Sequence, residues 1–102
     1  MPRREQLEAL LESDPDDVFL NYALAKELIA EGRAAEGLAC FDRVIELDPN
    51  YVPAYFQKGQ ALAERGEVAA AREALTAGIA AARRTGDTHA LGEMTGFLEA
   101  LE

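Results

Sequence analysis

An all-α fold built from repeated helix pairs is the class this sequence predicts, and three observations predict it. The first is punctuation: Gly32 recurs as Gly66, and Asp14-Pro15 recurs as Asp48-Pro49, both at a spacing of 34 residues. Between those marks small and apolar residues recur at the same offset: Ala25 with Gly59, Leu28 with Leu62, Gly37 with Ala71, Phe41 with Leu75 and Ile45 with Ile79. Finally, apolar residues follow one another at three- and four-residue steps, which places them on common helix faces. A period of this length holding two helical runs marks a repeat whose units bury their apolar faces against one another.

The elements follow in order. Leu7, Leu10 and Leu11 share one face of a helix over 3–13 while Glu5, Glu8 and Glu12 take the other. Asp14-Pro15-Asp16-Asp17 stops it, because proline disfavours helical geometry in the residue before it, and Asp16 or Asp17 supplies an N-cap for the next helix. That helix, over 18–31, is apolar nearly all round with Phe19, Leu20, Tyr22, Leu24, Leu28 and Ile29, so it must touch neighbours on several sides. Gly32 gives a left-handed cap. A helix over 35–47 follows with Leu38, Phe41, Val44, Ile45 and Leu47 inward, although its start lacks a capping side chain. Asp48-Pro49-Asn50 repeats the stop. Pro53 falls in the first turn of a helix reaching about Arg65, where its missing N–H costs little. Gly66 closes that helix, and an alanine-rich one spans 68–84 with Leu75 and Ile79 inward. After Gly86-Asp87 a last helix carries Ala90, Leu91, Met94, Phe97, Leu98 and Leu101 in one stripe, opposite Glu93, Thr95, Gly96 and Glu99.

Composition narrows the possibilities. The chain has 102 residues, 49% of them apolar, which suits one compact domain that needs neither disulfides nor metal. Cys40 stands alone in the sequence and reads as a small buried hydrophobe. A formal charge of -9 removes the attraction to phosphate backbones on which nucleic-acid binding depends and disfavours anionic membranes, so neither partner is expected. No apolar run approaches the roughly 18 residues of a membrane span, and MPRREQLEALLE has no signal-peptide core, so a cytoplasmic location is expected.

These residues carry a resemblance. The chain resembles the tetratricopeptide repeat (TPR) family, with full repeats over 18–51 and 52–85, a half-repeat helix within 1–17 and a closing helix within 86–102 of a single domain. The small residues Ala25 with Gly37 and Gly59 with Ala71 stand where that family crosses its two helices closely, and Leu28, Leu62, Phe41, Leu75 and Pro49 also match. Departures are local: Asn21 replaces a large side chain that is present as Tyr55, Lys58 stands at the position of Leu24, Gly78 at that of Val44, and Arg83 at that of Pro49. The stem of Lys58 is expected to pack while its amine reaches water. The resemblance implies antiparallel helix-turn-helix repeats forming a short right-handed α-solenoid of about six helices.

It also implies a function: binding a peptide or partner helix in the concave groove lined by the first helix of each repeat. The groove positions are Phe19, Tyr22, Lys26 and Ile29, then Pro53, Phe56, Gln60 and Ala63. The competing expectation is that the closing helix covers these aromatics as core, leaving a structural or self-associating subunit of a larger assembly. Some members grip a C-terminal carboxylate with a Lys/Asn/Arg set; Tyr22, Phe56 and Gln57 occupy the matching positions, so that activity does not carry over.

Catalysis is not expected. One His, one Cys and one Ser lie on separate predicted helices, and nucleophilic chemistry needs a nucleophile, a base and a group that orients the base. His89 is expected to be solvated. Asp14, Asp16 and Asp17 lack the glycine and closing glutamate of a calcium loop and read as caps. No cofactor or metal is expected. Charge by segment is -4 over 1–17, -3 over 18–51, +2 over 52–85 and -4 over 86–102, so the ends are the acidic parts. Polar outer faces on both terminal helices predict a monomer, with a swapped or groove-sharing dimer as the alternative.

Overall fold

The computed structural model describes residues 2–101 and is all-α, with no strand among them. Its helices are α1 (Arg3–Ser13), α2 (Val18–Ala30), α3 (Ala34–Leu47), α4 (Val52–Glu64), α5 (Val68–Thr85) and α6 (Thr88–Ala100). Each lies within a residue or two of its predicted span. The chain divides into two compact units, one ending at Asp48 with α1 to α3 and one beginning at Pro49 with α4 to α6. Among the described residues no helix is long and apolar enough to cross a membrane.

Helix ends follow from local chemistry. Gly32, Gly66 and Gly86 have φ of 80°, 77° and 74°, the left-handed region that suits glycine. Each closes its helix with the same pair of bonds. The glycine N–H donates to the carbonyl three residues back, and the next N–H to the carbonyl five back: Arg33 to Leu28 at 2.9 Å, Glu67 to Leu62 at 3.0 Å and Asp87 to Ala82 at 2.9 Å. Asp17 caps α2 by accepting from the Leu20 N–H at 2.8 Å. Asp87 does the same for α6, accepting from the Ala90 N–H at 3.0 Å. The start of α3 has no side-chain cap; there Arg33 donates to both carboxylate oxygens of Glu36, at 2.8 Å each.

In the first unit Leu7, Ala23, Leu24 and Leu28 form a core cluster with Leu11, Leu20 and Cys40 packed against it. Phe41 and Val44 of α3 are fully buried. Gly37 is where α3 meets α2: a Cβ there would lie 3.0 Å from the Ala25 carbonyl oxygen and 2.7 Å from Ile29 Cδ1, which explains the glycine. Asn21 is buried and donates to the carbonyls of Pro15 at 3.0 Å and Asp17 at 2.8 Å.

The second unit uses the same scaffold with different side chains. The Tyr55 hydroxyl donates to the Pro49 carbonyl at 2.7 Å, so Asn21 and Tyr55 reach carbonyls that are themselves one repeat apart. At Gly59 the close neighbour is Leu75, whose Cγ and Cδ2 would lie 2.8 Å from an added Cβ, rather than Ala71, which the sequence pairs with it. Gly78 is a further close crossing: an added Cβ would sit 2.6 Å from Tyr55 Cβ and 2.6 Å from Met94 Sδ. Met94 and Leu75 are fully buried. Arg84 ties α5 to the segment before α4, donating to Asn50 Oδ1 at 3.0 Å and the Pro49 carbonyl at 3.2 Å. Arg72 of α5 donates to the Leu101 carbonyl just past α6.

Candidate functional site

Phe19, Tyr22 and Lys26 stand at i, i+3 and i+7 on α2, a spacing that puts them on one helix face. The structure brings these three together. Phe19 is 64% exposed, a large apolar ring left in water. Tyr22 is half-buried, its ring 6.0 Å from that of Phe41 at an interplanar angle of 57°. Lys26 is exposed and holds its Nζ 5.5 Å from the Tyr22 ring centroid, a cation–π contact worth roughly 0.5–1 kcal/mol at an exposed site.

Together with Ala23, Glu27 and Ala30 of α2 and Arg3 of α1, they line a cleft of about 370 Å³. Its floor is aromatic and aliphatic. Charge is confined to Lys26, Arg3 and Glu27, and Arg3 Nε lies 3.5 Å from Glu27 Oε2. Ile29, the fourth predicted position on α2, does not line this cleft: it is half-buried and its Cδ1 is turned onto Gly37.

On α4 the corresponding positions differ in exposure. Pro53 is exposed, whereas Phe56, Gln60 and Ala63 are half-buried. Phe56 packs edge-on against Phe97 of α6, ring centroids 5.9 Å apart and planes at 77°, so the closing helix covers part of it. Arg3 and the Phe56–Phe97 contact are the contributions that sequence reasoning did not place residue by residue. Arg3 reaches α2 from the start of α1, a meeting no periodicity encodes. Phe97 already stood in the apolar stripe of the closing helix, and that was the available signal.

Other chemistry-bearing residues have structural partners. Asp16 pairs with Arg43, and Asp17 is the α2 cap. Burial, with Glu36 and Glu8 nearby, pushes the Cys40 thiol above its ordinary pKa, the opposite of nucleophile activation. His89 is exposed, with Nε2 3.3 Å from Glu93 Oε1 one turn along the same helix.

Comparison with known proteins places the architecture. Residues 28–92 match the family model of the tetratricopeptide repeat, and the chain belongs to that family. It is 35% identical over 98 residues to a TPR repeat-containing protein of Pseudomonas aeruginosa, covering 96% of this chain and 93% of the relative. A solution structure of a Bordetella parapertussis protein is 31% identical, with a TM-score of 0.86, covering 99% of this chain and 88% of that one. At 17% identity, PcrH in complex with the chaperone binding region of PopD shares the fold, with a TM-score of 0.89 over 96% of this chain and 74% of that one.

Proposed function

We propose that this protein is an interaction module that holds a peptide segment or helix of a partner protein against the α2 face formed by Phe19, Tyr22 and Lys26. The observation that carries the reading is Phe19. Burying such a side chain is worth roughly 1.5–3 kcal/mol, yet its ring stands exposed on a cleft that Lys26 and Arg3 also line. A partner side chain seated there would recover that energy, as buried aromatic anchors do at interfaces. Pro53, Phe56, Gln60 and Ala63 hold the equivalent positions of the second repeat and are the partner-contact set of the second unit in this reading. Ile29, the fourth position of this set on α2, packs at Gly37. Fold kinship adds support, since the PcrH structure holds a segment of another protein.

The chemistry agrees with binding rather than catalysis. Burial, then Glu36 and Glu8, raises the Cys40 pKa, which opposes nucleophile activation, and His89 faces Glu93 from an exposed position. The test is affinity capture from the native host with wild type and a Phe19→Ala variant, followed by calorimetry on the captured partner. Loss of about 2 kcal/mol of binding on truncating Phe19 is the expected result for an anchor. A partner that binds Phe19→Ala and Phe56→Ala as tightly as wild type would place the interaction elsewhere and overturn the reading.

A further inference from the structure

We propose that the cleft of the first unit takes an acidic segment, lodging one apolar side chain beside Phe19 while a carboxylate of the same segment is met by Lys26 and Arg3. This rests on the interaction reading above and gives its partner a chemistry. Residues 1–48 hold five Lys or Arg and twelve Asp or Glu, so carboxylates outnumber cations in this unit. Accordingly Arg4 pairs with Glu8 at 3.1 Å and Glu31 at 2.9 Å, Arg33 with Glu36 at 2.8 Å, and Arg43 with Asp16.

Lys26 breaks that pattern. Among the described residues no carboxylate pairs with it, and its ammonium stands over the Tyr22 ring instead. An ammonium has three donors, and a ring face engages one side of it, so donors remain for an incoming carboxylate. Arg3 is nearly as available. Its contact with Glu27, at 3.5 Å, is longer than a hydrogen bond, its side chain is 62% exposed, and a guanidinium has five donors. Glu27 thus offsets part of Arg3, and the cleft wall keeps a net positive charge inside a chain of net charge -9.

The rest of the lining is Phe19, Tyr22, Ala23 and Ala30, which suits an apolar side chain. At about 370 Å³ the cleft falls within the size range of ligand clefts, about 300–1,000 Å³, and so has room for an apolar side chain of a partner segment. The overall negative charge opposes an acidic segment at long range. Screening over about 8 Å at physiological ionic strength leaves the two local cations to decide the contact.

Three heptapeptides with acetylated and amidated ends test this, sharing leucine and phenylalanine and carrying aspartate, asparagine or lysine between them. Each is titrated into the full 15N-labelled chain and followed by amide chemical shifts. The aspartate peptide is expected to move the amides of Phe19, Tyr22, Ala23, Lys26 and Ala30. It should bind about five- to tenfold tighter than the asparagine peptide, from two partly exposed ion pairs. Lys26→Gln, at an exposed position, should remove most of that preference with an unchanged circular dichroism spectrum.

Equal binding of the aspartate and asparagine peptides at these amides overturns the acidic preference while leaving the interaction reading in place. Tighter binding of the lysine peptide does the same. A preference for aspartate that survives both Lys26→Gln and Arg3→Gln assigns the carboxylate to other residues and overturns the proposal. No movement of the cleft amides with any peptide rejects the cleft as a peptide site and the interaction reading with it.

Discussion

Gly78 and Gly92 are both helix-interior glycines, and their surroundings predict opposite consequences of adding one methyl group. At Gly78 the new Cβ would meet Tyr55 Cβ at 2.6 Å, an atom fixed to the backbone of α4 that cannot rotate aside. Overpacking of this kind costs about 1–3 kcal/mol, more than the roughly 1 kcal/mol of helix propensity that alanine returns. Gly78→Ala should therefore lower the urea midpoint. A Cβ added at Gly92 would meet no other side chain or helix within 4 Å, so Gly92→Ala should raise the midpoint through a propensity gain of about 0.5–1 kcal/mol. Equal midpoints for the two variants would mean that α5 does not approach α4 and α6 as closely as described. Cys40 gives a second expectation at this scale. Its pKa is raised by burial and then by Glu36 and Glu8, so at pH 8 it should react with iodoacetamide more slowly in the folded chain than in urea. The linkage has a definite sign: the folded state favours the neutral thiol, so that contribution is present below the ordinary thiol pKa of about 8.5 and is lost as pH rises through the raised value. Gly37 was legible as a crossing because its partner Ala25 lies at a fixed offset within the same repeat. Gly78 was not, because the first repeat carries Val44 at that position, and the contacts that demand a glycine, Tyr55 Cβ and Met94 Sδ on two different helices, exist only in the folded unit.

Helices declare their ends more clearly than their neighbours. Asp17 and Asp87 cap, and Gly32, Gly66 and Gly86 close, because both effects are decided within five residues of the chain. Replacing Asp17 with alanine should cost about 1 kcal/mol by orphaning the Leu20 N–H, and Asp17→Asn should keep most of it, since asparagine caps nearly as well. Chemical denaturation of both variants checks this; equal losses would mean that charge at the helix start, rather than the hydrogen bond, carries the effect. At the uncapped start of α3 the sequence expectation lagged by one residue, and there the Arg33–Glu36 fork stands where a cap would be. Asn21 shows why a departure from the family pattern need not disturb the element. The position bonds a carbonyl six residues back, and an amide reaches Pro15 as a phenol reaches Pro49. Which group does so depends on backbone separation in the folded state, and composition cannot reveal it. The candidate site divides along the same line. Phe19, Tyr22 and Lys26 share a helix face by arithmetic, but Ile29 turning to Gly37, Phe97 covering Phe56 and Arg3 reaching α2 are contacts between helices.

The repeat period extended the reading from single helices to the two helix pairs over 18–85, since a spacing of 34 residues sets their number and order without reference to any contact. It leaves the association state open, and here surface chemistry supplies an expectation: the chain should sediment as a monomer at micromolar concentration. Stable interfaces cover about 800 Å² on each partner. Among the described residues the large exposed apolar side chains are Leu10, at 55%, and Phe19, at 64%, and burying both completely would supply a few hundred Å² at most, by the roughly 150–250 Å² of an aromatic side chain. Charge acts in the same direction, because two copies each carrying -9 repel one another until salt screens them. Glu5, Glu8 and Glu12 on α1 and Glu93, Thr95 and Glu99 on α6 are exposed, so apart from Leu10 the solvated faces of these two helices are mainly polar. Sedimentation equilibrium at low and high salt separates the outcomes. A monomer mass in both agrees with these surfaces. A dimer that appears as salt rises would show that charge repulsion masks an apolar contact, and loss of that dimer in a Phe19→Ala variant would place the contact at the cleft wall. A dimer mass in both conditions would reject the capped monomer, because neither the exposed apolar area nor the charge described here can hold one together.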